Sequence, residues 1–337
     1  PPRPMKESLR TLASLASVYS GLTALGRRFG NRDGAIILYG HRVSDDHEGY
    51  LAGLKPEWLD AQLAYLGKHY RFLALSELVG YLERGEKVPE RSVVITFDDG
   101  FRDNYTHAFP LFKKHQVPAT IFLTTGCLDS GQLPWSQRLG CLFQQTTVPS
   151  LTHSLTHNLP LPLQSPQERK SAYNTVKDPI KKMGRTERET VLTELEGLWE
   201  TQAPVDRMMT WDMAREMTAA GMEMGAHTVT HPLLANLPED EAREEMLNSK
   251  ERLREELGFE RPAFCFPAGS RTPQLIELAK TLGFRSVFDS NRQTRINKFP
   301  AVDSFHLSRL GLPEASAIHL EAELDGVFHC IRTLFNS

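Results

Sequence analysis

Ser92-Val-Val-Ile-Thr-Phe97 is a continuous apolar, β-branched run with no alternation of polar residues. Such a run suits a strand buried on both faces, which requires helices on both sides of a parallel sheet. The pattern recurs. Ala35-Ile-Ile-Leu-Tyr39, Ala119-Thr-Ile-Phe-Leu-Thr124, 222–227, 263–266 and 284–288 read as strands. Between them, 56–67, 76–84, 103–115, 211–220, 239–257 and 273–282 read as helices, with Pro56 in a first turn and a kink expected at Pro110. Short buried strands alternating with helices predict an α/β fold built on βα units. A count of about seven strands suits a TIM-like barrel better than a small open sheet.

A barrel of about 250 residues leaves a surplus in a chain of 337. Residues 133–205 interrupt the rhythm, with Pro149, Pro160, Pro162 and Pro166 breaking the first half and a helix expected over 186–200. We read them as an insertion on a βα loop, on the face where barrels hold their active sites. Residues 1–30 form a separate N-terminal element, and the barrel is expected over 31–330. Over 6–29, Leu9, Leu12, Leu15, Tyr19, Leu22, Leu25 and Phe29 recur at helical spacing, with Lys6, Arg10, Arg27 and Arg28 at the ends. This amphipathic helix is expected to pack on the barrel; a membrane-surface helix or a short signal segment are the alternatives. The PPRP before Met5 is expected not to be native and is set aside.

Lys and Arg number 39 against 42 Asp and Glu, for a net charge of −3, so no basic excess suggests a nucleic-acid partner. Cys127, Cys141, Cys265 and Cys330 form no CxxC pair and are expected to be reduced. No run reaches the ~18 apolar residues of a spanning helix. These features favour a cytoplasmic or peripheral-membrane location over a secreted one.

The chemistry concentrates at two places. Thr96-Phe-Asp-Asp-Gly100 ends a buried strand, so Asp98 and Asp99 leave the sheet where barrel enzymes place catalytic groups. Adjacent side chains diverge, so one carboxylate can hold a metal while the other takes a proton; a polar turn closed by Gly100 is the plain alternative. His227-Thr-Val-Thr-His231-Pro follows another short strand. Its β-branched residues and Pro232 disfavour helix, so both imidazoles can converge from a loop. Two His and one carboxylate form a catalytic zinc set. His153 and His157 share the spacing but lie in the proline-rich insertion with no strand before them, so context favours 227/231.

TFDDG, HTVTH and Phe266-Pro267-Ala268-Gly269 together resemble the polysaccharide deacetylases of the NodB-homology type, carbohydrate esterase family 4. The flanks VVITFDDGFRDNY, VPATIFLTT and AAGMEMGAHTVTHPLL are similar too, and the resemblance covers about 34–290 apart from the insertion. It implies a distorted (β/α)7 barrel and metal-dependent N-deacetylation of a hexosamine-containing glycan. Carried over, Asp99, His227 and His231 become ligands to one divalent ion, zinc before cobalt or nickel. Asp98 becomes the general base, and the Ala268 N–H helps hold the oxyanion.

Ile37-Leu-Tyr-Gly-His41-Arg-Val43 resembles the segment that carries the general acid in a permuted subgroup similar to biofilm poly-N-acetylglucosamine deacetylases. That implies His41 as the acid, with His306 and His319 as alternatives. Many members place an arginine before the Pro-x-Gly to tether the base, but Phe264-Cys265-Phe266 has none. Cys265 is then a small buried residue, and Arg309 is a candidate tether. Ala268 stands where an aromatic is usual. Trp211-Asp212 resembles a helix-opening segment of the subgroup, and Trp211, Pro267 and Arg309 are grouped as substrate-side residues. Trp211-Asp212 also reads simply as a helix start.

The expected substrate is an N-acetylated polysaccharide or glycoconjugate. Deacylation or deformylation of a lipid-linked sugar at a membrane surface, met through 6–29, is one alternative. A catalytically silent glycan-binding barrel is another.

Overall fold

The computed structural model describes residues 3–24, 34–45, 49–289, 297 and 303–325. Its strands are β1 (Ala35–Gly40), β2 (Arg71–Phe72), β3 (Ser92–Phe97), β4 (Thr120–Leu123), β5 (Ser150–Leu151), β6 (Leu161–Pro162), β7 (Glu223–Ala226), β8 (Ala263–Cys265), β9 (Ser286–Asp289), β10 (Leu307–Ser308) and β11 (Leu310–Gly311). The main sheet runs β10-β9-β8-β7-β4-β3-β1-β11, with β2 on β3, and its pairings are parallel. β10 and β11 are two halves of one pass: Leu307 and Ser308 pair with β9, then Leu310 and Gly311 pair with β1. The last pass therefore joins the two edges of the sheet into a barrel of seven staves, as expected.

Strand alternation sorts the core. Ala35, Ile37, Val94, Phe122, Phe288 and Leu307 pack together inside the barrel. Their neighbours Ile36, Leu38, Val93, Ile95 and Ile121 face the surrounding helices. Continuing the period of two, Thr96 and Asp98 follow Val94, and Arg309 follows Leu307. The apolar filling thus gives way to polar groups at the C-terminal edge. Pro110 leaves a trace one turn early: residues Asn104–Ala108 form a π-helical turn before the α-helix Phe109–His115. Proline has no N–H to give the carbonyl four residues back, and the wider turn absorbs that loss.

Residues 133–205 fold around an apolar cluster of their own, including Trp135, Phe143, Tyr173, Leu192 and Trp199. Their helices are Trp135–Gln145, Pro166–Ile180 and Arg185–Trp199, with a β5–β6 hairpin between the first two. Pro149, Pro160 and Pro162 fall in the stretch between the first two helices, as expected, but Pro166 opens a helix. Pro166 occupies the first helical turn, where its missing N–H costs nothing, and Ser165 with Glu168 forms a reciprocal capping box. The insertion occupies the connection from β4 to β7.

The N-terminal helix spans Arg3–Tyr19 and lies beside the helix Ala317–Asp325. Thr11 Oγ1 meets His319 Nε2 at 3.2 Å, and Thr23 donates to Glu321 at 2.8 Å. The packed face is not the leucine stripe. Ser14, Ser17 and Thr23 are buried, while Leu12, Tyr19 and Leu22 are exposed. Leu25 and Phe29 lie outside the described residues. No helix among the described residues is long and apolar enough to cross a membrane. Cys127 and Cys141 are free and buried, and Cys265 is buried; Cys330 lies outside the described residues.

Candidate active site

β3 delivers two carboxylates to one edge and the backbone separates them. The Asp98 N–H donates to Gly40 O at 2.9 Å. Asp99 (φ 74°) and Gly100 (φ 79°) then turn left-handed in succession. A Cβ on Gly100 would stand 2.9 Å from the Leu123 side chain, so glycine is required on both counts. The turn sends Asp98 into the barrel and Asp99 toward β7.

Asp98 meets Arg309 in a bidentate pair, both N–O distances 2.7 Å, and both residues are buried. The same guanidinium reaches Thr96 Oγ1 at 3.1 Å and Cys265 Sγ at 2.8 Å. Burial opposes the charge on Asp98, but Arg309 outweighs it and holds the carboxyl below its usual range. A small Cys265 leaves room for the arginine to enter from the joint between β10 and β11. Arg309 is thus placed as the tether and not as a substrate-side residue: it is 0% exposed.

Asp99 faces two histidines. Its Oδ1 lies 3.5 Å from His227 Nε2 and 3.3 Å from His231 Nε2. The Nδ1 of His227 lies 2.7 Å from Cys265 O, so it carries the proton and leaves Nε2 with a lone pair aimed at the carboxylate. Burial pushes the His227 pKa down to about 4, so the ring is neutral at neutral pH. Neither oxygen of the buried Asp99 has a hydrogen-bond partner. A buried anion without donors, faced by the lone pair of His227, is compensated by a cation and by little else. The donor set, one carboxylate and two imidazoles within 4.8 Å of one another, fits a divalent ion with a coordination position open.

The loop carrying His231 is strained and clamped. Thr228 (φ 67°) and His231 (φ 59°) are both left-handed, which is costly for a β-branched residue. Glu245, from the helix Glu239–Leu257, accepts from the N–H of Val229 (2.8 Å), the N–H of Thr230 (2.9 Å) and the Thr230 hydroxyl (2.6 Å). Thr228 Oγ1 accepts from His231 N–H at 3.0 Å.

His41 follows β1 on the same edge. Its Nε2 is 4.0 Å from Asp98 Oδ2, its ring is about half exposed (48%), and Tyr39 packs edge-on against it. Asn104 donates to His41 O at 2.7 Å, and Asp103 accepts from Arg42 Nε (2.7 Å) and Val43 N (3.2 Å). Asp103, Asn104 and Glu245 escape sequence reasoning as site residues. The first two sit in the quoted FRDNY flank, so a signal existed; Glu245 lies 14 positions beyond His231 with no local mark.

The other candidates lie elsewhere. His306 pairs with Asp303, His319 with Thr11, and His153 with Glu194. Trp211 is not placed as a substrate-side residue. It is buried, its indole N–H donates to Asp129 at 2.8 Å, and Arg252 covers the ring. That leaves no face for a sugar, so its role is to pack the start of the helix Trp211–Ala219. Pro267 is buried in a turn after β8; Ala268 is exposed there in a left-handed conformation (φ 51°).

The sequence profile of the polysaccharide deacetylase family matches residues 85–287, more than half the chain. The chain belongs to the polysaccharide deacetylase family. The match contains both aspartates, both histidines and the Pro-x-Gly turn, but ends before Arg309 and begins after His41. Over 113 residues the chain is 36% identical to the poly-beta-1,6-N-acetyl-D-glucosamine N-deacetylase of Staphylococcus epidermidis, covering 29% of this chain and 39% of that one. Over 68 residues it is 43% identical to the enzyme of the same name from Staphylococcus aureus, covering 20% and 23%. The aligned part thus spans well under half the length of these curated relatives. Two solved structures share the fold. IcaB from Ammonifex degensii has a TM-score of 0.58 at 22% identity, over 87% of this chain and 97% of that one. Streptococcus pyogenes deacetylase PplD, solved with acetate, has 0.57 at 20%, over 86% and 96%.

Proposed function

We propose that this polysaccharide deacetylase hydrolyses the N-acetyl groups of N-acetylhexosamine units in a glycan. The observation that carries the reading is the pairing of two differently tuned carboxylates. Asp98 is held ionised by Arg309, beside a donorless Asp99 facing two histidines. A divalent cation, zinc by the donor set, held by Asp99, His227 and His231, would supply carbonyl polarisation and acidify the attacking water.

The chain's own residues do the rest. Asp98 accepts the proton of the water as it attacks the acetamide carbon. Arg309 keeps that carboxylate charged and aimed before the proton arrives. The Ala268 N–H donates to the developing oxyanion. His41, exposed enough to meet substrate, gives a proton to the amine nitrogen as the C–N bond breaks, since an amide anion is too basic to depart. The products are acetate and a free amino sugar.

Poly-β-1,6-N-acetylglucosamine is the first substrate to try, because the curated relatives carry it in their names. Acetate release should be measured on that polymer, on chitooligosaccharides and on lipid-linked N-acetylhexosamines, with metal content assayed in parallel. Stoichiometric metal without acetate from any of them would sink the reading and favour a glycan-binding barrel. His231→Ala is expected to lose the ion itself: metal retained after dialysis should drop to background. Retention at the wild-type level would remove His231 from the ligand set.

The exposed Leu12, Tyr19 and Leu22 favour a second reading for the substrate's location, a glycan or glycolipid met at a membrane surface. Deleting residues 5–24 is then expected to abolish co-sedimentation with anionic liposomes. Equal pelleting of both forms would rule this out.

A further inference from the structure

The insertion 133–205 is the part of the chain that the proposed chemistry does not use, yet it touches both loops that carry the chemistry. On one side it reaches the loop of His231. The Trp135 indole N–H donates to His231 O at 2.9 Å. Arg188, 1% exposed, donates from Nη2 to Thr230 Oγ1 at 3.0 Å, and its guanidinium lies 5.7 Å from the centre of the Trp135 ring. Thr230 Oγ1 is also the hydroxyl that Glu245 engages. A buried cation from the insertion and a buried anion from the barrel therefore grip one hydroxyl from opposite sides.

On the other side the insertion meets the loop of His41. Tyr50 stacks against Tyr173 with ring centres 4.4 Å apart. It also fills a notch made by Gly140, where a Cβ would stand 2.2 Å from Tyr50 Cγ. The next residue, Leu51, accepts through its carbonyl from Arg42 Nη1. Leu54 N–H donates to Arg42 O and Ser44 N–H to Leu54 O, both at 3.0 Å, so residues 49–54 are laced to 42–44 and thus to His41.

We propose that the insertion is a clasp joining the metal-ligand loop to the general-acid loop, and that Trp135 and Arg188 are positioning residues for His231. Three features support this over a passive decoration. The two contacts are made by one folded unit with its own core, Trp135 and Gly140 standing on the same helix. Arg188 spends a buried charge there, and its Nε has no partner, so its position is not explained by the insertion's own stability. The loop it grips holds two left-handed non-glycine residues, a conformation that persists only when its surroundings over-determine it. The inference rests on the proposed ligand set of Asp99, His227 and His231.

The test is a cobalt titration of the full chain, followed by the visible absorption of the bound ion, with melting temperature recorded alongside. Trp135→Phe keeps an aromatic ring in the insertion core and removes the N–H together with part of the indole, which is why the melting temperature is read alongside. The variant is expected to weaken cobalt binding about tenfold and to shift the absorption bands, the scale seen when partners of metal ligands are lost. Arg188→Gln should do the same and more. Gly140→Ala disturbs the Tyr50 notch only, so it should lower kcat on an acetylated glycan while leaving cobalt affinity within about twofold of wild type. If Arg188→Gln fails to fold, Trp135→Phe decides. Wild-type affinity and an unchanged spectrum in Trp135→Phe would overturn the clasp while leaving the ligand set intact. Failure of the unaltered chain to bind cobalt at all would instead overturn the ligand set.

Discussion

Asp98→Asn is expected to lower acetate release by about 10² or more while leaving metal content unchanged. Asparagine matches the carboxylate in shape and still offers Arg309 one oxygen, so the geometry around Asp99, His227 and His231 is conserved. What it lacks is a site to receive a proton from water. It also leaves the Arg309 guanidinium buried without a full counter-charge, so the melting temperature should fall as well. Steady-state acetate release and metal content on the same sample check the claim. Near-normal turnover with metal retained would remove Asp98 from the role of base.

The second large effect concerns the tether. Arg309→Met should cost about 3–5 kcal/mol of stability at neutral pH, because it strands a buried carboxylate. The sign follows from the two states of Asp98. In the native chain its pKa is depressed, so the pair stabilises the fold above the unfolded-state value near ~3.9 and fades as pH falls through the folded one. In the variant nothing offsets burial, the carboxyl titrates at a raised pH, and acidification relieves the penalty. Urea unfolding of both forms from pH 7 toward about pH 4 should therefore show the difference shrinking. A difference that stays constant or widens would mean Arg309 contributes packing rather than charge. Activity at neutral pH should fall too, since Arg309 no longer holds the Asp98 carboxylate charged and aimed.

Much of the site was legible because it sits where local pattern and chemistry coincide. The β-branched run at Ser92–Phe97 gives the strand, and the carboxylates at its end follow from it. The loop at 227–231 was separable from the look-alike at 153–157 only by its preceding strand. Residues whose partners are distant in sequence were harder. Arg309 stands 211 positions from Asp98, and its candidacy rested on a gap at Cys265 rather than on any pattern of its own. Glu245 had no such gap to announce it. Pro166 suggests a break when taken as a helix breaker, but it sits in a first turn, and the Ser165–Glu168 capping box marks that start. Trp211 opens a helix, as one of its two sequence readings has it; an aromatic at a helix start does not show which way its ring is covered. The leucine stripe of the N-terminal helix predicted the right element and the wrong face, since small polar residues allowed closer approach to Ala317–Asp325.

The last stave of the barrel changes partner at Arg309, from β9 on one side to β1 on the other. Asp98, Asp99, His227 and His231 all precede that residue in the chain. Until residues 307–311 dock, Asp98 has no counter-ion and the cylinder has a seam. Completing the cylinder and arming the base are thus a single late event. A chain clipped ahead of Leu307 is expected to lack both the closing stave and the counter-ion of Asp98, and so to release no acetate.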